Sequence, residues 1–283
     1  MTIKELLRKG SQILKDARIE SPVRDAGVIL CHVLNCGRLY LYTHEDNVPD
    51  ETYIKTYINL IQERASGKPL QYITGVNEFM SLPILVTPDV LIPRPETEIL
   101  VEKVIAYLKK INEPKTNILD MGTGSGCIAV SIARYVENCF VTAVDISSDA
   151  LSIAYFNAMD LGFTDRISFI KSNLFEKVEK TQYFDVIVSN PPYIPSCEIE
   201  SLQREVRDYE PEIALDGGAD GLFYYKRIID ESPKFLKPGG MLAFEVGINE
   251  ALAVVDFMKK MFCNIEIEKD LAGIDRVVSG FLR

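Results

Sequence analysis

The spacing of hydrophobic positions changes twice along this chain, and the changes divide it into three parts. In the first 75 residues apolar side chains recur at helical spacing, as in IKELLRKGSQILKDA, where four of them share one face. In SPVRDAGVILCHVLN, Ser21 is expected to cap a second helix whose first residue is Pro22. A third helix is predicted over ETYIKTYINLIQERASG, which ends at Gly67. This pattern predicts a small all-α bundle over residues 1–75.

Between residues 76 and 92 the period becomes two. Alternating apolar residues on either side of a Ser-Leu-Pro turn predict a β-hairpin that links two domains. The segment PRPETEILVEKVIAYLKKI then predicts a helix that begins at Pro95. Glu96 and Glu98 favour this start, because acids suit the positive end of a helix dipole.

From residue 117 onward predicted strands and helices alternate. The strands are expected at about 117–121, 140–145, 167–171, 184–189, 240–247, 264–269 and 276–282, and the helices at about 126–137, 149–161, 221–236 and 249–261. Such alternation predicts a Rossmann-like α/β domain with a mostly parallel seven-stranded sheet, over residues 93–283. Only a few residues around LAGID separate the last two strands, so the last strand is expected to pair antiparallel.

Charge is unevenly distributed between these parts. The chain carries a net charge of −10, but residues 1–75 hold ten Lys and Arg against nine Asp and Glu, so the remainder carries −11. An acidic main body argues against a duplex nucleic acid held along its phosphates, because such binding needs a basic surface. We therefore expect no direct nucleic-acid partner.

Other features of the composition indicate an ordinary cytoplasmic protein. Its apolar runs are too short to span a bilayer, and MTIKELLRKG lacks the apolar core of a signal peptide, so no membrane partner is expected. Six cysteines without a CxxC pair and two histidines outside any cluster with ligand spacing predict no metal site. A monomer is the default expectation.

A glycine-rich turn follows the first strand of the predicted α/β domain. In LDMGTGSGC, the glycines at 122, 124 and 126 let the backbone turn into a helix and pass close to a ligand. A dinucleotide fingerprint needs a third glycine where this chain has Cys127, and a P-loop needs Lys followed by Ser or Thr. With Asp120 just before it, the turn disfavours a phosphate ligand.

An acid ends the next predicted strand, FVTAVD. Asp145 lies nineteen residues beyond Gly126, where a carboxylate can accept hydrogen bonds from two ribose hydroxyls. Both features fit an adenosyl ligand without a phosphate, such as S-adenosylmethionine, whose cationic sulfonium and amino groups favour a nearby Asp120. A generic α/β turn followed by a chance acid is the alternative.

The stretch FDVIVSNPPYIPS places Asn-Pro-Pro-Tyr at the carboxyl end of the fourth strand, beside the first. Pro191 and Pro192 have fixed φ and no N–H, so they present carbonyls without competing donors, and Asn190 adds a side-chain acceptor. Two acceptors can hold both hydrogens of a planar –NH2 group, on whose plane Tyr193 can stack. Such a clamp orients a poor nitrogen nucleophile toward a methyl donor without a strong base. A plain strand terminus is the alternative.

With these motifs, the sequence resembles the PrmC/HemK family of release factor glutamine methyltransferases. The resemblance extends over nearly the whole chain, in the order SGKPLQYITGVNEF (66–79), VLIPRPETE (90–98), LDMGTGSGCIAV (119–130), VDISSDAL (144–151), SNPPYIP (189–195), EPEIALDGGADGLFYY (210–225) and LAGIDRVV (271–278). It implies a class I S-adenosylmethionine-dependent methyltransferase domain preceded by a release-factor docking bundle (1–75) and a hairpin linker (76–92).

The resemblance also implies roles for particular residues. The methyl donor is expected to bind at Asp120, Gly122, Thr123, Gly124, Ser125, Gly126, Asp145, Asn173, Leu174 and Asn190. The substrate is expected to be the glutamine of the Gly-Gly-Gln motif in class 1 peptide-chain release factors, methylated on its amide nitrogen. Asn190, Pro191, Pro192 and Tyr193 are expected to hold that amide, with Arg94 and Glu96 close to it.

One turn departs from the family pattern. In KSNLFE the family often has an acid followed by an aromatic residue, whereas this chain has Asn173 and Leu174. Asn173 can still hydrogen-bond an adenine edge, and Leu174 can still cover a ring face. Glu245, which ends a later strand, either borders the pocket or pairs with a lysine. The run from Phe223 to Tyr225 is expected to pack its helix onto the core.

Two other functions share some of these features. A nucleic-acid methyltransferase could hold the exocyclic amine of adenine or guanine by the same clamp, but the acidic body and the missing basic recognition region disfavour it. A non-enzymatic adapter has no need for Asp120, the glycines, Asp145 and the Asn-Pro-Pro-Tyr motif together. The sequence therefore favours a protein-glutamine methyltransferase.

Overall fold

The fold is described from a computed structural model of residues 1–181 and 183–283. The helices are α1 (Ile3–Asp16), α2 (Pro22–Leu34), α3 (Arg38–Thr43), α4 (Glu51–Ala65), α5 (Leu70–Thr74), α6 (Pro95–Ile111), α7 (Cys127–Tyr135), α8 (Ser148–Asp160), α9 (Arg204–Arg207), α10 (Phe223–Glu231) and α11 (Ala251–Met258). The strands are β1 (Val76–Phe79), β2 (Leu82–Leu85), β3 (Thr116–Met121), β4 (Cys139–Asp145), β5 (Ile167–Lys171), β6 (Phe184–Ser189), β7 (Leu236–Glu245), β8 (Phe262–Lys269) and β9 (Asp275–Leu282). In the part of the chain described, no helix is both long and apolar enough to cross a membrane.

The chain forms two compact units. One comprises Met1–Val76 together with Gln203–Tyr209, and the other comprises Asn77–Leu202 and Glu210–Arg283. The sequence pattern gave no sign that a short segment from late in the chain belongs with the N-terminal helices. The proposed division into 1–75, a linker and a catalytic domain remains a prediction about function.

The first unit is helical, with α1, α2 and α4 packed around a buried apolar core. The spacing of apolar residues does not predict the two short helices α3 and α5, because six and five residues are too few to show a helical repeat. The second helix begins at Pro22 as expected, but the Ser21 side chain makes no capping hydrogen bond. Its backbone, with φ −121° and ψ 60°, lies outside the extended region from which a side chain normally caps.

The second unit is a seven-stranded sheet in the order β5-β4-β3-β6-β7-β9-β8. Pairing is parallel from β5 to β7, and β9 is antiparallel to both of its neighbours, as the short LAGID connection predicted. The predicted α/β fold is therefore confirmed. The strands β1 and β2 form a separate two-stranded sheet.

Two predicted boundaries near residue 236 are wrong for local reasons. The helix expected over 221–236 is α-helical only over Phe223–Glu231 and continues as a 3₁₀ turn, because Pro233 lacks the N–H that would continue the α-helical hydrogen bonds. The strand expected from 240 begins at Leu236, which pairs with Phe184 before a break in register. Proline and glycine are untypical of a strand interior, so the Pro-Gly-Gly sequence at this bulge did not indicate that the strand begins before it.

Within the first unit, a buried ion-pair cluster attaches the late segment to the helices. Arg64 in α4 donates from Nε to Asp25 Oδ2 at 2.9 Å and from Nη2 to Glu205 Oε1 at 2.7 Å. Asp25 and Arg64 are 1% and 5% exposed, so removing either would leave the other buried charge with only a more exposed partner. Arg24 also contacts Asp25, at 3.2 Å, but its side chain is largely exposed.

We expect Arg64→Ala to lower the free energy of unfolding of the helical unit by about 3–5 kcal/mol, because the buried Asp25 carboxylate loses its buried partner. The matched change Arg24→Ala removes an exposed contact to the same Asp25 and should cost less than about 1 kcal/mol. Urea unfolding followed by circular dichroism measures both. Equal losses in the two variants would contradict the assigned role of the buried pair.

Candidate active site

A cleft of about 1050 Å³, counting solvent at its mouth, lies at the carboxyl edge of the large sheet. It is bordered by the ends of β3, β4 and β6, where Met121 is paired with Val144 on one side and Ser189 on the other. Residues after these strand ends therefore face one another across the cleft. In an open α/β sheet this is the position at which ligands bind.

The glycine loop, Gly122–Gly126, forms one wall of the cleft. Its three glycines have φ of 74°, 54° and 78°, the left-handed region that other residues adopt only with strain. A Cβ on either of the first two would meet no heavy atom within 4 Å, so their backbone borders open space. The Asn157 side chain in α8 holds the loop by donating to the Ser125 carbonyl at 2.8 Å.

Asp120 lies behind this loop and does not line the cleft. It is fully buried, and its Oδ2 accepts a hydrogen bond from the Thr123 hydroxyl at 2.6 Å. Burial raises the pKa of Asp120 to about 7, although the hydrogen bond from Thr123 opposes the shift. The observed contact stabilises the glycine loop, and the predicted contact with a methyl donor remains a prediction.

Asp145 stands opposite the loop at the end of β4 and lines the cleft. Its Oδ2 accepts from the Gly124 N–H and its Oδ1 from the Ser147 N–H, each at 2.9 Å. Burial raises the pKa of this carboxyl above its usual value. Each carboxylate oxygen has a second lone-pair site, so both can still accept from a ligand hydroxyl.

Beyond Asp145, the turn after β5 brings Asn173 and Leu174 to the same part of the cleft. The Asn173 amide is already engaged, since Nδ2 donates to Glu176 at 2.7 Å and Oδ1 accepts from Arg227 at 3.2 Å. Leu174 has φ 50°, a conformation that leucine rarely adopts. The side chains of Leu174 and Ile146 provide an apolar lining here.

The NPPY loop, Asn190–Tyr193, follows β6 on the other side of the glycine loop. Asn190, Pro191 and Pro192 line the cleft. Asn190 donates from Nδ2 to Thr97 Oγ1 at 3.2 Å, which leaves Oδ1 as the acceptor on its other side. Among the described residues, none donates to Asn190 Oδ1 or to the Pro191 carbonyl.

Tyr193 turns away from the cleft. Its hydroxyl donates to Glu245 Oε1 at 3.3 Å, and its ring packs against the core. Stacking on a substrate amide, the role predicted for Tyr193, is therefore not the contact that the structure displays. The observed contact fixes the end of the NPPY loop to β7.

The segment LDGGADG packs beneath the NPPY loop. Ile194 donates to the Leu215 carbonyl at 3.0 Å and accepts from the Gly217 N–H at 2.8 Å. A Cβ on Gly217 would stand 2.7 Å from Tyr193 Cα, which is closer than real contacts allow. Gly217 is therefore required by the close approach of the two backbones.

Two residues that were predicted to lie close to the substrate pair instead with oppositely charged side chains. Arg94 Nη2 donates to both carboxylate oxygens of Glu210, at 2.7 and 2.8 Å, and Glu96 lies 3.9 Å from Arg276. Neither Arg94 nor Glu96 lines the cleft. Arg94 directly precedes α6 and Glu96 lies in its first turn, and the start of this helix at Pro95 is confirmed.

The structure also places in the cleft residues that were not predicted from the sequence. The most informative is Thr97, which stands between Glu96 and Glu98 in the PETE sequence but carries no charge to draw notice. Tyr224 packs against the core, as expected, and also lines the cleft, and Tyr225 is buried as predicted. Others that line it are Asp89, Val90, Leu91, Pro93, Ile146, Ser147, Ser172, Ile213 and Ala214.

The two halves of the cleft differ in chemistry. Around the glycine loop and Asp145 there are an open backbone, a carboxylate and apolar side chains, a set that fits a sugar and a flat ring. At the NPPY loop, Asn190 Oδ1 and the Pro191 carbonyl oxygen accept no hydrogen bond from the part of the chain that the structure describes, which fits a ligand with two N–H bonds. A methyl donor and an amide can thus lie side by side.

Comparison with known proteins agrees with this chemistry. The PrmC N-terminal domain family matches residues 5–75, and a methyltransferase domain family matches residues 112–269. Release factor glutamine methyltransferases from Clostridium acetobutylicum and Koribacter versatilis are 43% and 41% identical to the chain. They are covered over 98% of their own length and over 98% and 99% of the chain. The chain belongs to this family. It is an S-adenosylmethionine-dependent methyltransferase.

Solved structures support the fold assignment of this release factor glutamine methyltransferase family member. A methyltransferase from Pyrococcus furiosus superposes with a TM-score of 0.51 at 21% identity, over 71% of this chain and 88% of that one. At that identity the likeness concerns the fold alone. The class I methyltransferase fold implied by the sequence resemblance is therefore confirmed.

We expect Gly217→Ala to lower kcat for methyl transfer by about 10²-fold, because the added Cβ displaces the backbone of Tyr193 and with it the NPPY loop. Gly27→Ala in α2 is the control, since a Cβ there meets nothing within 4 Å. Steady-state methylation kinetics measure both. If Gly217→Ala has the same kcat as the unaltered protein, the close approach of Gly217 to the Tyr193 backbone is not needed for methyl transfer.

Proposed function

We propose that this protein transfers a methyl group from S-adenosylmethionine to the side-chain amide nitrogen of the glutamine in the Gly-Gly-Gln motif of class 1 peptide-chain release factors. The observation that carries the proposal is Asn190, which lines the same cleft as the glycine loop and donates from Nδ2 to Thr97, so that its Oδ1 is left as an acceptor. The names of the two relatives, release factor glutamine methyltransferase, give the same kind of protein substrate and the same acceptor residue.

The donor half of the cleft would hold the methyl donor. The Asp145 carboxylate would accept from the ribose hydroxyls, and Leu174 with Ile146 would cover the adenine ring. The backbone of Gly122 and Gly124 would lie against the rest of the donor. When bound there, S-adenosylmethionine supplies an electrophilic methyl group on a positively charged sulfur.

The acceptor half would position the glutamine amide. Asn190 Oδ1 and the Pro191 carbonyl would each accept one N–H of the amide, which turns the nitrogen lone pair toward the donor methyl. Amide nitrogen is a poor nucleophile, so the residues contribute orientation and stabilisation of the charge that develops on nitrogen. The N–C bond forms as the S–C bond breaks, and the surplus N–H proton then passes to solvent.

The helical unit supplies the natural candidate for docking the rest of the release factor. It matches the PrmC N-terminal domain family over residues 5–75 and has its own buried core. We propose that it binds the release factor outside the Gly-Gly-Gln motif, with the protein acting as a monomer. A nucleic-acid amine remains the second candidate on the geometry of the clamp, but the acidic charge beyond residue 75 disfavours it.

Purified enzyme with labelled S-adenosylmethionine is expected to methylate a class 1 release factor, and Gly-Gly-Ala in place of Gly-Gly-Gln should abolish incorporation, because the acceptor nitrogen is gone. Mass spectrometry of the motif peptide locates the methyl group. Methylation of RNA or DNA without methylation of the release factor would overturn the proposal.

Asn190→Ala should lower kcat by about 10²-fold, because one of two groups that stabilise the developing charge is lost. Donor affinity, measured by calorimetry, should change little. Asp145→Ala is the opposite control, since its loss should weaken donor binding by about tenfold or more. A collapse of donor affinity in Asn190→Ala would show that Asn190 is mainly a donor ligand.

A further inference from the structure

Thr97 stands between Asn190 and Glu245 and has opposite hydrogen-bonding roles toward them. Asn190 donates from Nδ2 to Thr97 Oγ1 at 3.2 Å, and Thr97 donates from Oγ1 to Glu245 Oε2 at 2.5 Å. Thr97 and Glu245 are 2% and 1% exposed, so water does not compete for these bonds. The three side chains form a directional chain that ends at the wall of the cleft.

The direction of this chain follows from the chemistry of a hydroxyl. A threonine hydroxyl has one proton to donate and lone pairs that accept. Because Thr97 gives its proton to Glu245, it can only accept from Asn190. The Asn190 amide must then turn its NH2 toward Thr97, and its carbonyl oxygen faces the opposite way.

Glu245 determines the direction of the hydrogen bonds from Asn190 to Thr97 and from Thr97 to Glu245. Its Oε2 accepts from Thr97 and its Oε1 accepts from the Tyr193 hydroxyl, at 3.3 Å. An ionised carboxylate accepts and cannot donate, so it imposes a single direction on the hydroxyl beside it. The bond to Tyr193 also fixes the carboxylate at the other end of the NPPY loop.

We propose that Thr97 and Glu245 are positioning residues that hold the Asn190 side chain with Oδ1 toward the methyl-accepting –NH2 group. The proposal rests on the proposed function for the identity of that group. It adds that selectivity for an –NH2 acceptor depends on the polarity of Asn190, which residues outside the NPPY loop determine.

The opposite orientation of the amide would be unproductive. A 180° turn about the Cβ–Cγ bond of Asn190 exchanges its oxygen and nitrogen with little change of shape. The nitrogen would then present N–H groups to the N–H groups of the substrate, and neither would find an acceptor. Without a fixed partner on the far side, Asn190 has no reason to favour the productive orientation.

Protonation of Glu245 would remove the directional constraint. Burial raises the pKa of this carboxyl to about 7, while the bonds from Thr97 and Tyr193 oppose the shift. Facing groups are Glu96 on α6, which favours protonation, and Arg276 on β9, which opposes it. Nearby lie Cys127 on α7 and Tyr225 on α10, whose hydroxyl donates to the Glu245 backbone carbonyl.

The sign of the pH effect follows from these contacts. A protonated Glu245 can donate to Thr97, and Thr97 can then donate to Asn190 Oδ1, which reverses the amide. The productive orientation therefore belongs to the carboxylate form, which predominates above the raised pKa. We expect kcat to fall as the pH is lowered through about 7.

The test compares Thr97→Val, which lacks the hydroxyl at similar size, with Thr97→Ser, which keeps it. With a release factor as substrate, Thr97→Val should lose about tenfold in kcat, because the amide orientation is no longer fixed, whereas Thr97→Ser should stay close to the unaltered enzyme. Calorimetry should show the same donor affinity in all three. Unchanged kcat in Thr97→Val, or equal loss in both variants, would overturn the proposal.

The pH profile gives a second readout that does not depend on Thr97→Val folding. Glu245→Gln cannot ionise, so the fall of kcat near pH 7 should disappear. Glu250→Gln is the matched control, because the pKa of Glu250 is also raised to about 7 but its Oε2 accepts from the Gly247 N–H. That variant should keep the fall. Persistence of the fall in Glu245→Gln would overturn the proposal.

The proposed function and this inference fail in different ways. If the unaltered enzyme does not methylate a release factor, the proposed function fails before any variant is compared. If it does methylate one and the Thr97 and Glu245 variants behave like it, only the positioning role fails.

Discussion

Parallel pairing of β3 with both β4 and β6 is the constraint on which the site depends. It brings three carboxyl ends to one edge, so that the glycine loop, Asp145 and Asn190 meet although they are far apart in the chain. In an antiparallel arrangement, neighbouring strands would end at opposite edges and these groups would be separated. Every chemical property of the cleft presupposes this pairing.

Hydrogen bonds from other segments hold the two loops that the strands bring together. The NPPY loop is held from below by hydrogen bonds with the Leu215–Gly217 segment and from the side by the bond between Tyr193 and Glu245. The glycine loop is held by the buried Asp120 and by Asn157. Backbone positions at both loops are therefore set by contacts that a ligand does not have to supply, which lowers the entropy lost on binding.

The sequence allowed the fold and the chemistry of the site to be predicted, because both leave a local signature. Alternating strands and helices and the loop at Gly122–Gly126 can be recognised within short windows, and the structure agrees with them. Thr97 and the attachment of Glu205 to the helical unit could not be predicted, since both depend on contacts between distant residues. The family resemblance placed Arg94 near the substrate, yet Arg94 is paired with Glu210 outside the cleft, whereas Thr97, three residues further on, lines the cleft.

The fold and a few side chains of the site contribute different things. A methyltransferase only 21% identical has the same fold, so the fold does not depend on most of the side chains of this chain. The choice of the group to be methylated requires an acceptor atom at the right place, and an asparagine offers either an oxygen or a nitrogen in nearly the same shape. At Asn190 the buried carboxylate of Glu245, acting through Thr97, removes that ambiguity. Burying an acid usually destabilises a fold. Here the buried carboxylate determines the orientation of the Thr97 hydroxyl and, through it, of the Asn190 amide, which these two groups cannot determine by themselves.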